Sequence, residues 1–338
     1  MRYKLFIALF FTVALLMAQN SYIEVRAEKG DGIYSLLRKQ GVDPSKSIHE
    51  FITLNHGNLR DSIHLYEGRT YLLPGTDSIA TFAKKEDSTP KLVSGVSYPI
   101  FGKNHAEVMA KSSRLKGTIY YLISGHGGPD PGAMTKQKGG ISIAEDEYAY
   151  DVTLRLAKEL ISHGAMVYII VRDENDGIRD DRILEIDRDE VVYPKKKIPL
   201  NQLARLKQRV KVVNELYAKH KGQHQRLIVT HVDSRSKGQN IDVFFYHHKK
   251  SKSGKKLAES IHRTFEKKYK KYQPNREYAG TFEDRNLYLV KNTLPAMAYI
   301  EIGNIRNRKD QKRILDPDNR QALAKWISEG VLLDYEEK

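Results

Sequence analysis

Four apolar runs separated by segments of helical periodicity restrict this chain more than any other feature. They are residues 119–123, 166–171, 227–229 and 296–300. Between the first and second, from near Glu145, the apolar residues Tyr148, Ala149, Val152, Leu154, Leu156, Ala157 and Leu160 give the mixed face of a helix packed on a sheet. A second helical segment, 203–219, separates the second run from the third. Strand, helix and strand in alternation imply an α/β fold, a mostly parallel sheet flanked by helices.

What ends each run matters as much as the run. The first closes in Ser124-Gly125-His126-Gly127-Gly128-Pro129-Asp130-Pro131-Gly132-Ala133, placing His126 at a strand's carboxyl end, where α/β sheets put their ligands. The glycines let backbone approach a bound group closely. A phosphate loop is the plain alternative, but the Lys-Ser/Thr pair and the Gly-x-Gly-x-x-Gly pattern are both missing. Glu145 stands in the first turn of the next helix, where the positive helix end alone would account for a carboxylate. The third run ends in Thr230-His231-Val232-Asp233 and the fourth in Glu301-Ile302-Gly303-Asn304, so two imidazoles and a carboxylate are delivered to one sheet edge. The chain has no cysteine, which excludes disulfides, thiolate zinc sites and thiol nucleophiles. A metal at this edge must be held by His, Asp or Glu.

These residues resemble the zinc-dependent N-acetylmuramoyl-L-alanine amidases of the amidase-3 type, from about Ser97 to Tyr335. The matches run in order through Gly125-His126-Gly127-Gly128-x-Asp130-Pro131-Gly132-Ala133, Glu145, Gly164-x-x-Val167, Arg172, Arg209, Asn214, Thr230-His231, Pro295, Glu301-x-Gly303, Asn307 and Ala324-x-x-Ile327-x-x-Gly330. The resemblance implies that His126, Glu145 and His231 bind a single Zn2+ and that Glu301 is the catalytic carboxylate. Glu147 is a second candidate for the helix ligand; Glu145 keeps the family's spacing to Leu154-x-Leu156. The bond cut would be the amide between the lactyl group of N-acetylmuramic acid and L-alanine of the stem peptide. Asp130, Asp233 and Arg285 are expected at the substrate edge, Arg285 with a structural salt bridge as an equal alternative. The partners implied are peptidoglycan glycan strands and stem peptides, with a protein activator where activity is gated, and no nucleic acid. A wall-binding or amidase-regulating protein without activity, and a zinc peptidase cutting inside the stem peptide, are the competing readings.

A chain of 338 residues calls for more than one domain. Arg2 and Lys4 precede an apolar run from 5 to 17, and Ala18 follows. This is the order of a secretory signal peptide over 1–18, with an uncleaved anchor as its competitor and an exported protein as its consequence. Residues 21–75 then read as strand, helix, helix and strand. The positions Tyr22-x-x-Val25, Gly30-Asp31, Gly41-Val42, Asn55, Gly68 and Tyr71-Leu72-x-Pro74 resemble a LysM module, a βααβ domain whose family binds N-acetylglucosamine-containing glycans; a generic small α/β domain is the alternative. Gly30, Asp31 and Asn55 are its candidate glycan-contacting residues. A polar stretch, 76–98, reads as a linker to a catalytic domain over 99–338. The formal net charge of +15 draws polyanions, among them anionic wall polymers, without choosing between them.

Two further segments draw attention. The polar insertion from Asp173 to Pro199 reads as a solvated loop, or as a lid over the metal whose deletion would raise activity. His247 and His248 read as surface residues on opposite faces of a strand, and the lysine-rich stretch 249–271 as the outer face of a helix carrying Leu257, Ile261 and Phe265 inward.

Overall fold

The apolar runs become strands of one sheet. The computed structural model describes residues 22–28, 31–42, 44–59, 65–74, 95–137, 139–234 and 238–337. The expected leader over 1–18, Gly30 and most of the 76–98 stretch lie outside the described residues. Contacts divide the chain into two units, residues 1–91 and 92–338.

In the first unit, β1 (Ile23–Arg26), α1 (Ile33–Lys39), α2 (Pro44–Leu54) and β2 (Thr70–Leu73) follow the expected βααβ order. The two strands pair antiparallel, Ile23 with Leu73 through Arg26 with Thr70. Leu36, Leu37, Phe51, Tyr71 and Leu73 form the core. α2 begins at Pro44, and proline suits a first helical turn. Asn55 and Asp31, the candidate glycan contacts, expose little of their side chains. Asn55 is 2% exposed, and its amide donates to the carbonyls of Phe51 and Leu72 and accepts from Leu72 N, each at 2.8 Å. The Asp31 side chain is 5% exposed and bonds Lys39 Nζ at 2.9 Å; it also accepts from Glu28 N. Both hold the unit together.

The second unit contains β3 (Val96–Ser97), β4 (Glu107–Val108), β5 (Thr118–Ser124), β6 (Met134–Lys136), β7 (Ser142–Ala144), α3 (Glu145–Ser162), β8 (Met166–Ile169), β9 (Val171–Arg172), β10 (Val191–Val192), β11 (Lys196–Lys197), α4 (Gln202–Lys219) and β12 (His224–Asp233). It continues with β13 (Phe244–His247), α5 (Lys252–Tyr272), β14 (Phe282–Asp284), α6 (Tyr288–Asn292), β15 (Ala296–Asn304), α7 (Arg308–Leu315) and α8 (Pro317–Glu336). Because β3 pairs with β4, the unit takes in the last residues of the expected linker.

The central sheet has the order β14-β13-β15-β12-β5-β8. β8, β5, β12 and β15 are parallel; β13 runs against β15, and β14 with β13. Successive residues of a strand point to opposite faces. Tyr120, Leu122, Ile228, Ala298 and Ile300 therefore pack in one core with Val152 and Leu156 of α3, Leu257 and Ile261 of α5, and Leu323 and Ile327 of α8. Ile119, Tyr121, Ile123, Leu227, Val229 and Met297 pack in the other, with Val212, Val213 and Leu216 of α4 and Leu289 and Val290 of α6. The chain leaves β5 for β8 on one side and returns to β12 on the other, which opens a crevice at their carboxyl ends. Among the described residues no helix is long and apolar enough to cross a membrane.

Two expectations fail here. His247 is 6% exposed and packs on Phe282, ring centroids 4.9 Å apart, because β13 lies between β14 and β15 rather than at the surface. The 173–199 insertion is not a solvated loop: Ile178, Leu184, Val192 and Ile198 are buried, and β9, β10 and β11 form a small antiparallel sheet. Deleting it would open the core, so that deletion cannot isolate a lid.

Candidate active site and metal centre

Three elements meet in the crevice. His126 follows β5, Glu145 opens α3 and His231 lies near the end of β12. One ligand atom from each lies within 4.8 Å of the others. Glu145 spans the pair: Oε1 accepts from Val232 N at 3.0 Å and meets His231 Nδ1 at 2.8 Å, while Oε2 accepts from Ala133 N at 3.0 Å and lies 3.4 Å from His126 Nε2. The two rings stand edge to face, 5.0 Å apart. Glu147, the alternative helix ligand, points elsewhere and pairs with Arg179 at 2.9 Å.

The turn that presents His126 is held from outside. His126 takes a positive φ of 61°, a conformation that costs energy for a residue with a Cβ. Arg209 Nη2 donates to its carbonyl at 2.5 Å. Arg205, one turn away on α4, bonds Asp130 Oδ2 at 2.6 Å, and that same oxygen lies 3.0 Å from His126 Nδ1. Asp130, expected at the substrate edge, thus orients the imidazole and leaves Nε2 facing Glu145, the usual partnership behind a metal-binding histidine. Arg205 and its pairing escaped the sequence reading; an Arg-x-x-x-Arg repeat on a helix with a buried face was the available signal.

Charges are tightly linked in the triad. Burial pulls the His126 imidazole down, but hydrogen bonds to the Asp130 and Glu145 carboxylates outweigh it and push it up to about 10. Burial lowers His231 despite Glu145. Burial opposes ionisation of Glu145, yet the two histidines hold it well below the usual carboxylate range. His126, Glu145 and His231 could hold a divalent cation, for which His126 would have to give up a proton.

Glu301 lies one strand from His231: the two are direct register partners across β12 and β15, and paired strands run about 4.8 Å apart. Tyr299, on the same face of β15, stacks on the His231 ring at 4.7 Å. The pairing shifts register between His231 and Asp233, an irregularity at the end of the strand. Arg285 lies over the Tyr246 ring at 4.9 Å and pairs with Glu283 at 3.4 Å. The Tyr246 phenol is pushed up to about 12 by burial first and then by Glu301, with Arg285 opposing and Asp233 adding to the field.

Two glycines leave room for the imidazoles. A Cβ on Gly125 would lie 2.3 Å from His231 Nδ1, and one on Gly132 would lie 2.7 Å from His126 Cδ2. Gly125→Ala is expected to displace His231 and reduce turnover about a hundredfold, the order of loss from a misplacement near 1 Å. Activity near the parent's, measured beside metal content, would show that the ring yields freely.

An α/β sheet that gathers two imidazoles and two carboxylates at the crevice between β5 and β12 is the frame of a hydrolytic enzyme. The sequence model of the amidase-3 family, described as N-acetylmuramoyl-L-alanine amidase, matches residues 121–332. That stretch exceeds half the chain, and the chain belongs to this family of peptidoglycan hydrolases. A germination-specific N-acetylmuramoyl-L-alanine amidase of Bacillus subtilis (strain 168) is 26% identical over 228 residues, covering 66% of this chain and 82% of that protein. Among solved structures, the CwlD amidase from Clostridioides difficile in complex with the GerS lipoprotein aligns at 20% identity and a TM-score of 0.49, over 65% of this chain and 99% of that one. The catalytic domain of the CwlV amidase from Bacillus (Paenibacillus) polymyxa var. colistinus aligns at 19% identity and 0.46, over 65% and 99%.

Proposed function

We propose that this chain is an exported zinc amidase that cleaves the bond between N-acetylmuramic acid and L-alanine of the stem peptide. The observation that carries the reading is the meeting of His126, Glu145 and His231 within 4.8 Å, with Glu301 in register beside His231. Three nitrogen and oxygen ligands suit a catalytic zinc, which keeps a further position open for water. Bound there, zinc would lower the pKa of a water to about 7 and polarise the scissile carbonyl.

The residues of this chain then divide the labour. His126, Glu145 and His231 hold the ion, and Asp130 retains the Nδ1 proton of His126 so that Nε2 stays a donor of electrons. Glu301 takes a proton from the attacking water and returns it to the departing amine. Oxygen joins the lactyl carbonyl carbon, the C–N bond breaks, and a lactyl carboxylate and a free L-alanine amine leave. The leader pattern supports export, and the βααβ order of the first unit supports a LysM-like anchor on glycan strands.

Digestion of purified sacculi, read by mass spectrometry, tests the reaction. New lactyl carboxylates and L-alanine amino termini are expected; a cut within the peptide would make the chain a stem peptidase, and no product would make it a binding protein. Stripping with a chelator is expected to lower the rate at least about a hundredfold, with one equivalent of zinc restoring it. An unchanged rate in metal-free protein would remove zinc from the reaction.

A further inference from the structure

A second convergence of oxygen donors lies apart from the His-Glu-His triad. Asp146 and Glu147, in the first turn of α3, and Glu190, in the insertion just before β10, place carboxylate oxygens within 4.8 Å of one another. Their exposures are 1%, 3% and 6%. The partners the protein supplies are few. Glu147 pairs with Arg179 at 2.9 Å and accepts from Asp187 N at 3.1 Å. Glu190 Oε2 accepts from Gly128 N at 2.6 Å, and Asp146 Oδ1 accepts from Glu147 N at 3.0 Å. Asp146 Oδ2 is buried with no hydrogen-bond partner.

One guanidinium faces three buried carboxylates, and an unpaired carboxylate in the interior costs several kcal/mol. The positive end of α3 offsets only part of that. We propose that Asp146, Glu147 and Glu190 form a second cation site, taking a hard divalent ion of the calcium class. The donors are all oxygen, with no imidazole or thiolate, which favours calcium or magnesium over zinc. Magnesium keeps several waters and commonly takes one or two carboxylates, whereas three converging, buried carboxylates suit calcium. The bound ion would tie the insertion to the amino end of α3, beside Glu145, and through Glu190 and Gly128 to the turn that carries His126.

The test uses the full chain, stripped with chelator, reloaded with one equivalent of zinc and titrated with calcium chloride or magnesium chloride. Calcium is expected to bind saturably at one ion per chain by calorimetry and to raise the melting temperature by about 5 °C or more at a hundredfold excess over its dissociation constant. Glu190→Gln is expected to abolish that rise while zinc stays at one per chain, and Asp146→Asn serves as the second variant. A larger effect from magnesium would reassign the ion within the same class. Absence of saturable calcium or magnesium binding to the parent protein would overturn the site, whatever the variants do. So would a calcium effect that survives in Glu190→Gln, because the ion would then lie elsewhere.

Discussion

Glu301→Gln is expected to slow cleavage of sacculi by about 10² to 10⁴, the range set by loss of a general acid and base, while zinc content and melting temperature stay at parental values. Glutamine keeps the shape of the side chain and its place in β15, directly across from His231, but cannot take up a proton from water. Glu301 stands outside the group of three whose donor atoms converge, so its amide should not release the metal. Turnover measured beside elemental analysis decides the matter. Turnover within tenfold of the parent would remove Glu301 from proton transfer, and loss of zinc would make it a ligand. His231→Ala should differ, losing metal and activity together.

The largest loss of stability is expected from Asp151→Ala. Asp151 is 0% exposed, as is Arg320. Its Oδ2 binds Arg155 Nε at 2.7 Å and Arg320 Nε at 2.6 Å, and its Oδ1 accepts from Arg179 N at 2.8 Å. Arg320 reaches on to the carbonyls of Arg179 and Asp181 and of Leu315. One carboxylate on α3 thus fastens α8 and the insertion together. Removing it takes from two buried guanidinium groups the carboxylate they share, a change that costs about 3–5 kcal/mol. For a unit of this size that corresponds to a melting temperature lower by about 10 °C. Thermal denaturation of parent and variant measures it, and a fall under about 2 °C would mean the arginines find other partners.

The site was legible to the extent that it depends on strand ends. His126, His231 and Glu301 each follow an apolar run, and Glu145 follows the glycine-rich turn into a helix. Runs of buried residues report where strands stop, and in a parallel sheet the carboxyl ends share one edge. Less could be said of what supports those residues. Asp130 meets Arg205 from 75 positions away, and His126 meets Arg209 from 83. The insertion was misread for the same reason: Ile178, Leu184, Val192 and Ile198 stand among charged residues and show no period, yet each finds a core already built by other elements.

By itself, the order of residues determined the alternation of strands and helices, the mostly parallel sheet and the four side chains expected at its edge, because apolar periodicity is a local property that reports burial. The tertiary structure alone decided that β13 and β14 close the sheet antiparallel, that Asp130 serves His126, that Asn55 and Asp31 brace the first unit, and that Asp146, Glu147 and Glu190 converge. Those outcomes depend on strand order, register and helix placement, which bring together side chains far apart in the chain, and no local pattern encodes which of them will meet.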